Sequence, residues 1–127
     1  MPTLPRPSVY QLPVGDSRVL RMPPPRDRFD GTLVDPGSYQ EIRVVFPPST
    51  EFEPYLPTGP AALVKTLSGG GVTLDNDTDE VVVSLTPDDT RDLGVGRFLI
   101  HIRLERGTST AHSVVPFHVL EVTPAGI

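Results

Sequence analysis

The chain has 127 residues and a formal net charge of −5, with 16 prolines, 11 glycines and no cysteine. This length corresponds to one domain, and the lack of cysteine excludes disulfides and thiolate metal sites. Because proline and glycine are spread through the sequence, long helices are excluded and short strands joined by turns are favoured.

The first 28 residues differ from the rest in composition. Seven of the first 25 are proline, and five arginines against two aspartates give residues 1–28 a formal charge of +3. Because each proline favours extended backbone at itself and at the residue before it, the sequence predicts an extended arm over 1–28 and a sandwich domain over 29–127. Within the arm, residues 8–12 and 17–22 are β-prone. The start, MPTLPRPSVY, lacks the pattern of a signal peptide, which favours a soluble protein made in the cytoplasm.

A basic, proline-rich arm suits docking on an acidic partner, and a solvated arm is the alternative. The arm has too few apolar residues to fold alone, so it lies either on the rest of its own domain or on a neighbour. The residues predicted to contact a partner combine the arm's arginines, tyrosine and proline run with one tyrosine from a later loop: Arg6, Tyr10, Arg18, Arg21, Pro23, Pro24, Pro25 and Tyr55. Nucleic acid is disfavoured as a partner, because the arginines are scattered without aromatic residues between them and the remaining chain is acidic.

The rest of the chain is patterned as short strands, predicted in chain order at 40–46, 61–66, 72–74, 80–85, 97–105 and 113–122. Alternating apolar residues predict the buried faces of four of these strands. They are Ile42, Val44 and Phe46; Val81, Val83 and Leu85; Phe98, Ile100, Ile102 and Leu104; and Val115, Phe117 and Val119. About seven strands with no helix longer than one turn predict an all-β, antiparallel β-sandwich.

The stretch TPDDTRDLGVG, residues 86–96, joins two of these strands and is rich in carboxylates. As a catalytic site it lacks a nucleophile with a base nearby. As a connector it is well formed, because Thr86 suits a helix N-cap, Pro87 suits the first helical position and the aspartates favour the positive end of a helix. Leu93 is then expected to contact the core, and Gly94 or Gly96 to adopt left-handed backbone. The sequence predicts a single-turn structural connector.

Asp75, Asp77 and Asp79 have the alternating spacing of a calcium loop, but the glycine of the sixth position and the glutamate of the twelfth are missing. A polar hairpin tip is the favoured interpretation, and a calcium site of another type is the alternative.

The three histidines, His101, His112 and His118, could bind zinc only if they converged, with His101 close to His112 across the last hairpin. Two such histidines without a third ligand make a weak site, so all three are assigned to solvated strand faces. No nucleophile, base and orienting group can be named together, so the sequence predicts neither an enzyme nor a cofactor.

Residues 71–122 contain, in order, VTLDND, EVVVSLTPDDT, RDLGVGRFLIHIRLERG and VVPFHVLEV. This order resembles small immunoglobulin-like modules of tailed bacteriophage virions, including the N-terminal domain of phage baseplate upper proteins. In those modules a strand ends in Leu-Thr, a D-T-x-x-L turn follows, and a Gly-aromatic strand opens a hairpin. The matching residues here are Leu85, Thr86, Asp89, Thr90, Leu93, Gly96 and Phe98.

The resemblance implies an immunoglobulin-like sandwich and a non-enzymatic role in the virion, reached after synthesis in the host cytoplasm. The favoured role is a capsid decoration (cement) protein that docks through its arm. The partners expected are the major capsid protein or tail and baseplate proteins of the same virion, or further copies in a homotrimer, with no nucleic acid and no membrane. Two alternatives are a tail or baseplate attachment module and a host-receptor module that binds carbohydrate through the 47–60 loop and Tyr55. A third is a calcium-dependent accessory domain.

Overall fold

The computed structural model describes residues 8–50, 56–106, 110–115 and 118–125. Along the chain its elements are β1 (Val9–Pro13), β2 (Arg18–Met22), β3 (Arg26–Asp27), a 3₁₀ turn (Pro36–Ser38), β4 (Glu41–Val45), β5 (Pro48–Ser49), β6 (Val64–Thr66), β7 (Val72–Asp75), β8 (Glu80–Leu85), α1 (Pro87–Leu93), β9 (Gly96–Arg106), β10 (Thr110–Val115) and β11 (His118–Thr123). Within these residues no helix is long and apolar enough to cross a membrane.

The larger of two sheets is organised around β9, which is long enough to pair with two strands on each side. The first half of β9 pairs with β11 and β5, and its second half pairs with β10 and β4. Beyond these neighbours, β6 pairs with β4, β1 with β11 and β3 with β10. The smaller sheet has the order β2, β8, β7. The predicted all-β architecture is therefore confirmed, with two sheets.

Both sheets contribute side chains to a single apolar core. The inward faces predicted for β4, β8 and β9 are confirmed, because every apolar residue predicted on those faces is buried. These residues are Ile42, Val44, Phe46, Val81, Val83, Leu85, Phe98, Ile100, Ile102 and Leu104. Burying each such side chain contributes about 1.5–3 kcal/mol relative to leaving it in water.

The last strand, β11, is buried on both faces and not only on the one predicted. Leu120 and Val122 lie in the core, whereas the prediction placed Val115, Phe117 and Val119 there; Phe117 and the side chain of Val115 lie outside the described residues. In VVPFHVLEV, residues 114–122, both the odd-numbered and the even-numbered positions include apolar residues. Alternation alone therefore could not identify which face of the strand points into the core. Pairing with β9 decides it, because Leu120 lies opposite Phe98, a core residue. Val119 is also buried, on the other face of the sheet and opposite Leu99.

The described part of the N-terminal segment belongs to the sandwich and is not a separate arm. The β-prone pieces are confirmed as β1 and β2, which pair with β11 and β8. Their apolar side chains Leu12, Leu20 and Met22 are part of the core, so the predicted boundary at residue 28 does not separate two units. Proline is tolerated because Pro13 ends β1 and Pro23 follows β2. The β1–β11 pair is parallel, so the purely antiparallel prediction was wrong for this pair.

The connector after β8 is a two-turn helix, α1, rather than the single turn predicted. Thr86 Oγ1 accepts the backbone N–H of Asp89 at 3.1 Å, and Asp89 Oδ2 accepts the backbone N–H of Thr86 at 2.8 Å. These two bonds make a complete capping box, with Asp in the place of the usual Glu or Gln. Gly94 takes the left-handed φ of 74° at the C-cap, as expected of one of the two glycines.

Candidate functional site

Tyr10, Arg18 and Arg21, three of the residues predicted to contact a partner, lie together where β1 of one sheet approaches β2 of the other. The Tyr10 hydroxyl donates to the carbonyl oxygen of Arg21 at 3.2 Å. The Arg18 guanidinium lies 5.6 Å from the centre of the Tyr10 ring and donates to the carbonyl oxygen of Gln11 at 3.0 Å. These contacts connect the two edge strands, so much of this cluster serves the fold itself.

Arg21 is paired with acidic residues of its own chain. Its guanidinium lies 3.0 Å from Asp75 Oδ2 and 3.9 Å from Glu80 Oε1, which joins β2 to the β7–β8 hairpin. A half-exposed pair of this kind contributes up to about 1 kcal/mol. Within the described residues Arg18 has no such ion pair, so it keeps a charge that a partner could meet.

The other predicted contact residues do not join this cluster. Pro25 is buried, and its carbonyl oxygen accepts the N–H of Val34 at 3.0 Å. Pro23 and Pro24 are partly exposed. Arg6 and Tyr55 lie outside the described residues.

The candidate calcium loop is a polar hairpin tip between β7 and β8. Asp75 Oδ1 accepts the backbone N–H of Asp77 at 3.0 Å, and Oδ2 faces Arg21. Asp79 has the left-handed φ of 58° that a tight turn requires. Across the described ranges, no three His, Asp or Glu side chains converge as metal ligands. Asp75 and Asp79 thus shape this turn.

His118 was predicted on a solvated face, and the structure corrects this: the side chain is only 1% exposed. Its Nδ1 accepts the backbone N–H of Ser8 at 2.9 Å, and the Tyr10 ring meets it edge-on at 6.1 Å. Because Nδ1 is an acceptor, the ring proton sits on Nε2, which has no hydrogen-bond partner in the described part of the chain. Burial lowers the pKa of His118 to about 4, so the ring is neutral at pH 7.

The other two histidines lie on β9 and β10. His101 is partly buried on β9, and burial, followed by the charges of Arg103 and Arg28, lowers its pKa. His112 pairs in register with Leu104, three positions beyond His101, and its side chain lies outside the described residues. The predicted proximity of His101 to His112 is therefore not a direct cross-strand pair.

Asp89, in the carboxylate-rich stretch, is bound in the structure around α1. Its Oδ2 lies 2.6 Å from Lys65 Nζ, and both side chains are less than one fifth exposed. Burial acts to raise the pKa of Asp89, but hydrogen bonds from Lys65 and Thr86 outweigh it, so the pKa lies below its ordinary value. The stretch is therefore a structural connector, as expected, although Lys65, far away in sequence, could not have been assigned to it.

Thr90 holds α1 against the β1–β2 turn. Its side chain is fully buried, and Oγ1 accepts the backbone N–H of Gly15 at 2.9 Å. The same hydroxyl lies within donating distance of the carbonyl oxygens of Asp16, at 3.2 Å, and Pro87, at 3.0 Å. Thr90 is one of the residues in which the sequence resembles the phage modules, but its contact with Gly15 depends on the tertiary structure.

A shallow cleft of about 400 Å³ lies beside the start of β9. An ion pair between Arg97 and Glu121 borders it, and the nearby hydroxyl of Ser49 is buried with no hydrogen-bond partner in the described residues. Residues lining the cleft are Ser49, Val95, Gly96, Arg97, Glu121, Val122, Thr123 and Pro124.

Phe29 was not singled out from the sequence, yet at 88% it has the highest exposed fraction among the large apolar side chains described. It lies in the segment RDRFDGT, outside every alternating pattern. An aromatic residue between Asp and Asp-Gly turn signals is the sequence feature that could have identified it.

No protein-family model matches the chain, and no curated protein matches it either. The features that bear on its function are therefore its strand order, its engaged carboxylates and its exposed surface.

Proposed function

We propose that the chain is a non-enzymatic structural protein of a tailed-phage virion, an immunoglobulin-like module that decorates the capsid. The observation that carries the proposal is the strand order. β2, β8 and β7 correspond to strands B, E and D of an immunoglobulin sandwich, and β4, β9 and the β10–β11 pair correspond to C, F and G. This order supports the immunoglobulin-like assignment on which the resemblance to phage modules depends.

The position of α1 is a second support. The helix lies between the strands that correspond to E and F. Thr86 at its N-cap and Asp89, Thr90 and Leu93 within it are among the residues that resemble the phage modules. In this chain those residues cap the helix, through Thr86 and Asp89, and attach it to the β1–β2 turn, through Thr90. A resemblance carried by residues with such defined roles in the fold is a resemblance of architecture, which favours a structural protein.

The engaged polar groups also favour binding over catalysis. Asp75 faces Arg21, Asp89 faces Lys65, and Glu121 faces Arg97. Because β1 and β2 are part of the sandwich, docking through a free arm spanning residues 1–28 is not retained. The attachment is by the surface of the folded module, and the partner is the major capsid protein.

The experiment is localisation in particles of the phage that encodes the chain. Gradient-purified virions are analysed by mass spectrometry, and gold-labelled antibodies against the chain are located by electron microscopy. We expect gold over the capsid. Gold confined to the tail or baseplate would replace decoration with the attachment alternative, and absence of the chain from purified virions would contradict the virion proposal altogether.

A further inference from the structure

The short strand β3 and the loop after it, residues 26–33, are named here the Phe29 loop. Side chains of these residues hold its backbone in place. Asp27 Oδ1 accepts two backbone N–H groups, from Phe29 at 2.7 Å and from Asp30 at 3.1 Å. The backbone N–H of Asp27 donates to the carbonyl oxygen of Thr32 at 2.8 Å, which closes the loop. These bonds leave the backbone at the tip little freedom.

Further bonds hold the returning half of the Phe29 loop. Asp30 Oδ1 accepts both the backbone N–H of Thr32, at 2.9 Å, and its hydroxyl, at 2.7 Å. Arg26 Nη1 donates to the carbonyl oxygen of Gly31 at 2.9 Å, and Gly31 takes the left-handed φ of 74°. The loop is thus preorganised, and a group presented at its tip loses little conformational entropy when a partner binds.

What this loop presents is apolar. The side chain of Phe29 is 88% exposed and that of Leu33 is 63% exposed. Single exposed apolar residues are ordinary, but an aromatic ring and a leucine on one small, hydrogen-bonded loop are not explained by the fold. Burying a Phe side chain is worth about 1.5–3 kcal/mol, and buried aromatic residues are frequent energetic anchors of protein interfaces.

Two arginines lie near this apolar tip, which also contains the carboxylates of Asp27 and Asp30. The Arg28 guanidinium lies 5.2 Å from the centre of the Phe29 ring. Arg103 lies directly opposite Arg43 in the β4–β9 register, and Arg43 pairs with Glu105 at 3.2 Å. Arg103 has no carboxylate partner within the described residues, and its charge and that of Arg28 both act on His101. The Oδ1 atoms of Asp27 and Asp30 accept hydrogen bonds within the loop, so Arg28 and Arg103 are the charges that the tip offers to an acidic surface.

From these observations we infer that the Phe29 loop is the docking element of the chain, and that it inserts Phe29 into an apolar pocket of a protein surface bordered by carboxylates, which Arg28 and Arg103 meet. A protein is favoured over nucleic acid because a single exposed aromatic ring and two arginines provide neither a stacking platform nor a charged track. The inference rests on the proposed function, in that the partner is the phage particle.

The position of the loop also fits docking. Asp27 pairs with Val114 on β10, and the earlier residues of β10 pair with the last residues of β9. The Phe29 loop therefore extends towards the end of the sandwich where β9 ends. Loops at an end of an immunoglobulin-like sandwich are free to contact a partner without disturbing the sheets.

The test uses purified full-length chain added to particles from phage in which its gene is inactivated, with binding measured by cosedimentation. We expect Phe29→Ala to weaken binding by about 30-fold, the effect of losing an interface anchor. We expect Arg28→Glu to weaken it at least about tenfold and to reduce its dependence on salt. The matched control is Val95→Ala, an exposed apolar residue directly before β9 that should leave binding unchanged. Unchanged thermal melting of each variant verifies its fold.

The outcomes separate the two proposals. If the wild-type chain does not bind these particles, the proposed function fails. If the wild-type chain binds and Phe29→Ala binds equally well, the function stands and this inference is wrong. It is also wrong if Phe29→Ala only dissociates an oligomer of the chain in analytical ultracentrifugation, or only abolishes binding to a fluorescent single-stranded oligonucleotide, because the occupant is then a second copy or a nucleic acid.

Discussion

The backbone of Ser8 is hydrogen-bonded to the side chain of His118 at the edge of the larger sheet, and a second bond joins Ser8 to Val119. The backbone N–H of Ser8 donates to Nδ1 of His118 at 2.9 Å, and the carbonyl oxygen of Ser8 accepts the N–H of Val119 at 2.9 Å. The first bond exists only while Nδ1 is unprotonated. The attachment of the N-terminal strand is therefore coupled to the charge of a buried histidine.

Stability should fall on acidification because of His118. Its pKa is about 4 in the folded chain against an ordinary 6.5, so the unfolded chain takes up the proton first. The stabilisation is complete above pH 6.5 and is lost as the pH falls towards 4. Between pH 7 and pH 5 the loss is about 2 kcal/mol, measured by urea unfolding at each pH.

The control for this pH dependence is His118→Phe, which keeps a buried ring and removes the titrating group. Its free energy of unfolding should fall less between pH 7 and pH 5 than that of the wild type. The remaining loss comes chiefly from His101, whose pKa is also lowered by burial, followed by the charges of Arg103 and Arg28, because Asp89 and Glu41 have pKa values below those of free carboxyls. An equal loss of stability in wild type and variant would assign the effect to other groups.

The capping box of α1 predicts two effects of different size. Thr86→Ala should destabilise the chain by about 1 kcal/mol through loss of the cap. Asp89→Ala should cost about 2–3 kcal/mol, because it also leaves the Lys65 ammonium partly buried without its partner. Thermal and urea unfolding measure both.

The matched control for the cap is Asp88→Ala. Asp88 lies on the same turn, but its side chain is 88% exposed, and it forms a surface ion pair with Arg91 at 3.0 Å. We expect its effect to be below about 0.5 kcal/mol. Equal effects at Asp88 and Asp89 would show that the net charge of the turn matters and the cap does not.

Loss of the Thr90 hydroxyl should destabilise the chain even when the new side chain keeps the shape of threonine. Thr90→Val leaves the N–H of Gly15 without an acceptor in a partly buried position, which should cost about 1–3 kcal/mol. Thr90→Ser retains the hydroxyl and should lose less. Urea unfolding of the two variants compares the contribution of the hydrogen bond with that of the methyl group. A larger loss of stability in Thr90→Ser than in Thr90→Val would contradict the role given to the hydrogen bond.

Truncation separates a free arm from a structural N-terminal segment. Deleting residues 2–25 removes β1 and β2, with Leu12, Leu20 and Met22 of the core, so the shortened chain should not fold. Deleting residues 2–7 retains both strands and should leave a folded chain. Circular dichroism and the dispersion of amide NMR signals distinguish the two; a cooperatively folded 26–127 fragment would restore the arm interpretation.

Local sequence patterns were sufficient to predict the elements whose residue types fit only one local arrangement. In the β4, β8 and β9 strands only one parity is consistently apolar, so alternation identified the buried faces of Ile42, Val83 and Ile102 correctly. The N-cap at Thr86 was also predictable, because a hydroxyl, a proline and two acidic residues in succession match one kind of helix start. These features depend on neighbours within a few residues along the chain.

Long-range pairing decided the rest. The face of β11, the burial of His118 and the inclusion of Leu12, Leu20 and Met22 in the core all depend on which strands become neighbours, and nothing in a proline-rich segment specifies whether it pairs with its own domain. Lys65 meets Asp89, and Ser8 meets His118, across separations that no local pattern records. The exposure of Phe29 is likewise a tertiary property, because a side chain is exposed only if the rest of the chain leaves it uncovered.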